Sequence, residues 1–504
     1  MIRRGSITIF LTLILSLLLS LVCGSIESVR MAAARTQILN SLDIGLYSLF
    51  GQYDALLLQE YDLFMLDGSC GGGTLKMASV YDAMEPYIRQ VLKQNSQKLS
   101  LVQGGFTGYR LATDEDGEVF YQQAVDGMRE TLGIQGIERL LENMQEREQK
   151  TREAEQEAAA AEQKHSLESY QAEMNTAAQK SQALKEELEA AENSQTANSG
   201  FSDGSSAGSA PASPPDTETA VQVVNPITEI QKVKKMGILE LVIPASQEIS
   251  NRSVEKSQLV SGRTLQQGMS MGEGLEKDES YLSGILFQQY LMEHLGNYRN
   301  PASGALQYQI EYLIAGKNND TANLKSIASQ LLLVREGVNF AHLLSDSSKR
   351  AQAQALAAAI ASAFLVPPAA VVIEGALLLC WSFAESILDV RELFAGGKVG
   401  LVKTAADWQI SLEKLPHLLA GLDSERRTKE QGMSYEDYLQ VLLAMEGKQK
   451  KLSRGMDMLE LNVRAQEGRE GFHLDSCIAA AEAVIDVEAN HKKTFTAVRR
   501  YVYK

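Results

Sequence analysis

The chain has 504 residues, of which 64 are acidic and 48 basic, and its net charge at pH 7 is -16. This length predicts about two to four domains, and the acidic balance without any block of Lys and Arg excludes nucleic acid as a partner. The four cysteines, Cys23, Cys70, Cys380 and Cys477, show no C-x-x-C spacing. That argues against a zinc site and a dithiol redox site, while any disulfide pairing among them stays open.

The N-terminal segment is the first predicted element. No charged residue occurs from Gly5 to Ile26, and these 22 residues would reach about 33 Å as a helix, enough to cross a hydrocarbon core of about 30 Å. A cleaved signal has a shorter apolar region and small residues at its cleavage site. Val22-Cys23-Gly24-Ser25 fits poorly as a cleavage site or a lipidation site, so we predict a retained transmembrane helix over residues 5–26 rather than a cleaved signal.

Charge sets the predicted orientation of this helix. The N-terminus with Arg3 and Arg4 carries about three positive charges, against about one among Glu27, Arg30 and Arg35, so the positive-inside rule places residues 1–4 in the cytoplasm. The protein is therefore expected to be a single-pass cell-membrane protein whose bulk is extracytoplasmic.

The apolar pattern continues beyond Glu27, because Ile38, Leu42, Leu46, Leu49, Tyr53 and Leu56 recur at spacings of three and four. This stripe predicts one helix from about Ser6 to about Glu60, half in lipid and half packed on a domain. Residues 27–132 are then a helix extension and the first part of a globular domain. Gly71–Gly73 within it is typical of a loop.

The middle of the chain is polar. Residues 133–193 predict a helical arm, and a heptad pattern from Leu167 to Ala191 predicts a coiled coil. The pattern spans few repeats, which favours an intramolecular or weak coil over strong oligomerisation. Residues 194–222 are rich in Ser, Gly, Ala and Pro and predict a disordered linker.

Residues 223–504 predict a globular extracytoplasmic domain. Alternation from Leu306 to Tyr312 indicates a strand, and a helix is expected over residues 324–341. The uncharged stretch 351–373 contains Pro367-Pro368 and precedes Glu374, so two buried helices are favoured over a second membrane span.

The C-terminal part of this domain carries clearer signals. Ser434 with Asp437 predicts a capping box that opens a helix, and the last thirty or so residues predict two closing strands. The fold class is therefore α+β and mainly helical, with a small antiparallel sheet.

Motifs of catalysis occur only out of context. G-x-S-x-G surrounds Ser202, Ser206 and Ser270 without the strand and helix that a nucleophile elbow needs, and two S-x-x-K patterns begin at Ser253 and Ser411 without their companion motifs. The six histidines are not spaced for a metal on one helix face, and Trp381 and Trp408 are expected in the core. We therefore predict no catalytic, cofactor-binding or metal-ligating residue, no cofactor and no enzymatic activity.

Several stretches together resemble one family. They are GSITIFL, YDLF, GYRLATDEDGEVFYQQAV, NPITEIQKVKKMGILELVIP, EYLIAGK, LLLVREGVNFAHLLSD, FAESILDVRELFAGGKVGLVKT and HLDSC. They identify the chain as similar to domain of unknown function 5702 (DUF5702), a family of membrane-anchored proteins of Gram-positive bacteria. The resemblance implies no activity and no site residue, because the family has none established.

The first 50 residues also resemble the N-terminal segment of minor pilins of the tight-adherence (Tad) type, where a hydrophobic helix precedes an Arg- and Ala-rich stretch and an Asp such as Asp43. A prepilin of that pattern has Glu as the fifth residue after the cleaved glycine, whereas Phe10 follows Gly5 at that distance. Cleavage after Gly5 is therefore not expected.

These resemblances lead to a functional expectation. The protein is expected to be a non-enzymatic envelope component of a Tad-like pilus or secretion system, with the lipid bilayer and other proteins of that assembly as its partners. The alternative is a membrane-anchored extracytoplasmic enzyme that acts on the cell wall.

Overall fold

A computed structural model describes residues 4–94, 98–164, 226–244, 247–272, 276–363, 369–422, 432–489 and 493–503, together with residues 176 and 179. The helices are α1 Arg4–Phe50, α2 Ala55–Tyr61, α3 Met77–Lys93, α4 Asp114–Lys164, α5 Pro226–Lys234, α6 Ile238–Val242, α7 Tyr281–His294, α8 Gln309–Ala315, α9 Asp320–Ser345, α10 Ser347–Ala363, α11 Ala370–Ala395, α12 Leu418–Gly421, α13 Tyr435–Met445 and α14 Lys448–Arg464. The strands are β1 Leu66–Asp67, β2 Ser100–Leu111, β3 Cys477–Ala489 and β4 Lys493–Val502. The expected mainly helical α+β fold with a small antiparallel sheet is confirmed.

The sheet joins distant parts of the chain. The central strand β3 pairs antiparallel with β2 along one edge and with β4 and the short β1 along the other. Ala481, Ala483, Ile485 and Val487 alternate along β3 and are buried, because side chains of a strand point alternately to its two faces. The two closing strands predicted at the C-terminus are confirmed.

The helices α1 and α3 cover this buried face and form the smaller core with it. Ile38, Leu42, Leu46 and Leu49 of α1 pack there against the strands and against residues of α3 such as Met84. The predicted apolar stripe of the N-terminal helix is therefore confirmed over this part.

The predicted extension of that helix to Glu60 is wrong. The helix α1 ends at Phe50, whose carbonyl accepts a hydrogen bond from the Tyr503 hydroxyl, and a new helix, α2, begins after Asp54. The Asp54 carboxylate accepts from the N–H groups of Leu56 and Leu57, and such N-capping stabilises a fresh helix start by about 1 kcal/mol.

The larger core is helical, with α9 and α11 at its centre. Almost every residue of α11 from Ile373 to Phe394 is buried, and Trp381 donates its indole N–H to the carbonyl of Ile410. The two buried helices predicted around Pro367-Pro368 are observed as α10 and α11, but α10 buries only one face. The capping box at Ser434 and Asp437 opens α13 as predicted.

The predicted strand at 306–312 is wrong, since residues from Gln309 onward form the helix α8. The polar members of the alternation do not face water: Gln309 Nε2 donates to Asn462 Oδ1 at 2.6 Å, and Glu311 is fully buried. Period-two alternation indicates a strand only when one of its two sets is solvent-exposed.

The predicted arm is described only in its first part. Residues 133–164 belong to α4, which starts earlier than expected and is interrupted by left-handed residues at Glu115–Gly117 and again at Gly133. The predicted heptad positions from Leu167 to Ala191 and the predicted linker 194–222 lie outside the described residues.

Candidate functional site

The helix α1 presents two different surfaces along its length. In its first half large apolar side chains are open to solvent: Leu17, Leu21 and Leu13 are 71%, 66% and 61% exposed. In its second half Ile38 and Leu42 are buried. Its apolar window has a mean hydropathy of 2.6 and is 0% buried, so the described part of the chain leaves this surface to an external environment.

Polar side chains within the exposed half do not break its apolar character. The hydroxyls of Thr12 and Ser16 donate to carbonyls one turn earlier at 2.9 Å, and that of Ser25 does so at 2.8 Å. A polar group in a membrane must find its hydrogen-bond partner within the protein. These three therefore fit a lipid environment.

Length and composition alone would also allow a second helix to cross a membrane. The helix α11 contains an apolar window with a mean hydropathy of 1.8, but 83% of that window is buried inside the protein. Its apolar surface is thus already used by the larger core, whereas that of α1 is not. Core helices and N-terminal signal sequences share this length and hydropathy with membrane anchors.

Four charged side chains form a buried cluster between α9 and α11. Arg335, Glu385 and Asp389 are 0% exposed and Lys403 is 5% exposed. Arg335 donates from Nε and Nη2 to Asp389 Oδ2 at 3.0 and 2.9 Å. Lys403 Nζ lies 2.6 Å from Asp389 Oδ1 and also contacts Glu385. Two positive and two negative charges balance here, as burial of ions requires.

Neighbouring groups give the two carboxylates different environments. Asn339 Nδ2 also donates to Asp389 Oδ2, whereas Glu385 accepts from the backbone N–H groups of Gln409 and Ile410. Burial raises the pKa of Glu385, because a desolvated carboxylate is unfavourable. Burial acts on Asp389 in the same direction, but attraction to Arg335 and Lys403 outweighs it and lowers the pKa of Asp389.

A second cluster has the composition of a metal site. Ligand atoms of Glu460, His473 and Asp475 lie within 4.8 Å of one another. However, Arg263 enters the cluster, with Nη1 and Nη2 at 2.7 and 2.8 Å from the Glu460 oxygens and Nη2 at 2.8 Å from Asp475 Oδ1. The guanidinium already supplies the positive charge that a metal would bring, so the arrangement is an ion-pair network.

A cleft of about 560 Å³ lies where the two cores meet. Its walls are the end of β2, the acidic turn 113–117, the loop 260–271 and one side of α14. Ser270 lines the cleft but sits in a loop that bonds to β2 through Met269 and Tyr109, without the strand–serine–helix order of a nucleophile elbow. Asp114 accepts backbone N–H bonds at both carboxylate oxygens, from Leu111 and Gly268, which is a structural role.

Among the described residues, the motifs noted in the sequence assemble no catalytic triad. Ser202 and Ser206 lie outside the described residues, and Cys380 and Cys477 are buried free thiols, while Cys23 and Cys70 are exposed free thiols. Trp381 is buried as expected, and Trp408 is partly buried against it with ring centroids 5.8 Å apart.

Both charged clusters were missed by sequence reasoning. Their members come from separate elements that only the fold brings together. One signal was available, since Glu385 and Asp389 stand four apart in an otherwise apolar run and therefore share one helix face.

Comparison with known proteins gives one match. A family model described as a family of unknown function, DUF5702, matches residues 216–489, which is more than half of the chain. No curated protein and no solved structure matches this chain. The matched range contains most of the larger core and β3, but not α1, α3, β2 or β4.

Proposed function

We propose that this protein, which belongs to the family of unknown function DUF5702, is a single-pass envelope protein that acts without catalysis in assembling or displaying a Tad-like pilus or secretion system. In this proposal residues 5–26 of α1 lie in the bilayer, the N-terminus is cytoplasmic and both cores are extracytoplasmic. Partner proteins contact the part of the molecule beyond the membrane.

The continuity of α1 carries the proposal. The helix has 47 residues and is thus about 70 Å long, and its exposed apolar half passes into its buried half without a break. An anchor that only tethers a domain needs a flexible joint, whereas this helix transmits force and orientation directly to the sheet. Rigid coupling of that kind is what an assembly component requires.

The anchor is tested by charge placed on the exposed half. The double variant Leu13→Arg/Leu17→Arg should move the protein from the membrane to the soluble fraction, since each Arg at the centre of a membrane helix costs about 2.5 to 3.5 kcal/mol. The control Ile44→Arg alters a side chain that is 44% exposed on the same helix beyond the proposed span, and it should stay in the membrane. Equal fractionation of both variants would contradict the anchor.

The assembly role is tested in cells that lack the chain. We expect these cells to lose surface filaments or secretion. The wild type and Ile44→Arg should restore them, and the double Arg variant should not. Unchanged filaments and secretion in the deletion strain would overturn the assembly role and leave the anchor intact.

The intact N-terminus is a separate expectation. Mass spectrometry of the membrane-extracted protein should find Arg3 and Arg4 retained, because Phe10 replaces the Glu that prepilins of this pattern carry. A mature chain that starts at Ser6 would instead make the protein a processed minor pilin.

The alternative is an anchored enzyme that acts on the cell wall, and the cleft between the two cores is the observation that supports it. The turn beside it places Glu115 and Asp116 at positive φ, and backbone strain of this kind occurs at active sites. The hydrogen bonds that Asp114 accepts from backbone N–H groups at both carboxylate oxygens weigh against an enzymatic role of the cleft. Isolated wall material would be incubated with the protein and its covalent bonds analysed. Bond changes that the wild type causes and the variant Asp116→Asn does not cause would favour this alternative.

A further inference from the structure

We propose that Lys403 and Glu385 react with each other: Nζ of Lys403 attacks the side-chain carboxyl carbon of Glu385, and an intramolecular amide bond forms with release of one water molecule. The bond would tie the segment after α11 to the middle of α11. This modification is independent of the proposed function, because it concerns only the larger core.

The geometry holds the reacting groups together in a dry place. The side chains of Lys403 and Glu385 are 3% and 0% exposed and in direct contact. Holding an amine against a carboxyl in this way replaces a bimolecular encounter by an intramolecular one, which is worth many orders of magnitude in rate when the groups are aligned. Exclusion of water also protects the product from hydrolysis.

The acceptor carboxyl has hydrogen-bond donors where charge would develop. Glu385 Oε2 accepts from the Ile410 N–H at 3.0 Å, and the Gln409 N–H is shared between Oε1 at 2.9 Å and Oε2 at 3.2 Å. Two backbone N–H groups on one oxygen stabilise the negative charge of a tetrahedral intermediate. This oxygen becomes the amide carbonyl, and Oε1 leaves as water. Burial raises the pKa of Glu385, which makes its carboxylate a better acceptor for the two protons that leave the Lys403 ammonium.

Asp389 is placed to move the protons. An ammonium carries two protons more than an amide nitrogen, and both must reach the leaving oxygen. Asp389 Oδ1 lies 2.6 Å from Nζ, while Oδ2 is held by Arg335 and Asn339. Because Nζ contacts both Glu385 and Asp389 Oδ1, the two protons reach Oε1 directly or by way of Asp389, and the reaction makes no net proton change.

The charges of the cluster favour the product. Before reaction two cations and two anions are buried together, and removal of each ion from water costs several kcal/mol. The amide is neutral, so the reaction removes one buried cation and one buried anion. Arg335 and Asp389 then remain as a matched pair.

Peptide mass spectrometry of the full-length wild-type protein tests the proposal. A tryptic digest should contain a branched peptide that joins the Lys403 and Glu385 segments, lighter than their sum by one water and uncleaved after Lys403. Lys349 and Asp346, 2.8 Å apart but on the surface side of the fold with side chains 12% and 15% exposed, should stay unlinked in the same digest. Linear peptides with unmodified Glu385 and Lys403 would overturn the proposal, and a branch at Asp389 would overturn the assignment of the acceptor.

Variants identify the chemistry. Glu385→Gln should give the same branched product, because the amide then releases ammonia in place of water. Lys403→Arg keeps the charge but removes the amine, so it should give only linear peptides. Asp389→Asn should lower the fraction of branched peptide at least tenfold in protein digested directly after expression, and an equal fraction would overturn its role in moving protons.

Discussion

Glu311 is a carboxyl group without a charged partner of opposite sign in its hydrogen-bond shell. Its Oε1 accepts from the Tyr298 N–H at 2.8 Å and from the Tyr435 hydroxyl at 2.7 Å, while Oε2 finds no partner among the described residues. Complete burial raises the pKa of Glu311 to about 7, because the ionised form is poorly solvated there.

This residue predicts a loss of stability as the pH rises. Between the ordinary pKa of 4.5 and about 7, the native state keeps a proton that the unfolded chain has lost. The free energy of unfolding therefore falls across this window, by about 3 kcal/mol in total, and changes no further above it. Urea unfolding as a function of pH measures this slope.

Glu311→Gln should remove the part of the slope that Glu311 contributes, because the amide does not titrate, while carboxyls such as Glu385 and Asp457, whose pKa burial also raises, keep theirs. Glu293→Gln on the exposed surface of α7 is the matched control and should keep the whole slope. Parallel pH profiles for the wild type and both variants would show that Glu311 ionises at its ordinary pKa.

Arg263 leads to a prediction on metal dependence. Because its guanidinium neutralises Glu460 and Asp475, a chelator should leave the melting temperature of the wild type unchanged. Arg263→Ala removes the closest cation from two buried carboxylates, and Glu460 keeps only a longer contact of 3.6 Å to Arg464, so it should cost up to about 3 to 5 kcal/mol in the free energy of unfolding. The control Arg152→Ala breaks a surface pair with Glu148 and should cost less than about 1 kcal/mol. A fall in melting temperature on chelation would instead indicate a bound metal in the wild type.

At the scale of the element, α1 divides one sequence pattern between two environments. Leu17 and Leu42 belong to the same helix, yet one is 71% exposed and the other 0%. Leu42→Ala should reduce the free energy of unfolding by about 2 to 5 kcal/mol, because it leaves a cavity in the smaller core. Leu17→Ala should leave that energy unchanged within about 0.5 kcal/mol. Denaturant unfolding in detergent measures both, and equal losses would mean that the exposed half also packs on the protein.

Elements with strong periodicity were predictable from the sequence. The stripe from Ile38 to Leu49, the capping box at Ser434 and the closing strands all depend on local patterns that the fold leaves in place. The end of α1 was missed although Asp54 is a local N-cap signal for α2, whereas the contact of Tyr503 with the Phe50 carbonyl was not predictable because it comes from a distant part of the sequence. The helix at Gln309 was misread because tertiary partners satisfy its polar side chains in the interior.

The charged clusters also could not be predicted from local sequence patterns. Arg335 and Lys403 stand 68 positions apart in the sequence, and nothing in the local sequence of either residue predicts that both reach Asp389. Sequence motifs report chemistry when one element carries it, as in the G-x-S-x-G elbow. Here the contacts that matter join α9, α11 and the segment after α11, so only tertiary structure reveals them.

At the scale of the molecule, a strand near the C-terminus pairs with a strand near the N-terminus. The sheet pairs β2, at residues 100–111, with β3, at residues 477–489, so most of the larger core is inserted between two adjacent strands, and residues before β2 such as Leu57 and Met65 complete it. The region that matches the family model ends with β3, whereas both long partners of β3 lie outside that region. The family match therefore marks a stretch of sequence and not an independent folding unit.

This interleaving predicts how pieces of the chain behave. The fragment 216–489 exposes Ile485 and Val487 of β3, which are fully buried in the intact protein, and also loses Phe120 of α4 from the larger core. Unpaired strand edges with apolar faces aggregate, so the fragment should be digested rapidly by protease and unfold without cooperativity. A chain that lacks only residues 1–29 keeps the buried stripe from Ala34 onward and every strand, and it should unfold cooperatively. If the fragment instead resists protease as well as this shorter chain does, the larger core folds without the sheet, and the sheet with α1 is a separate module added to it.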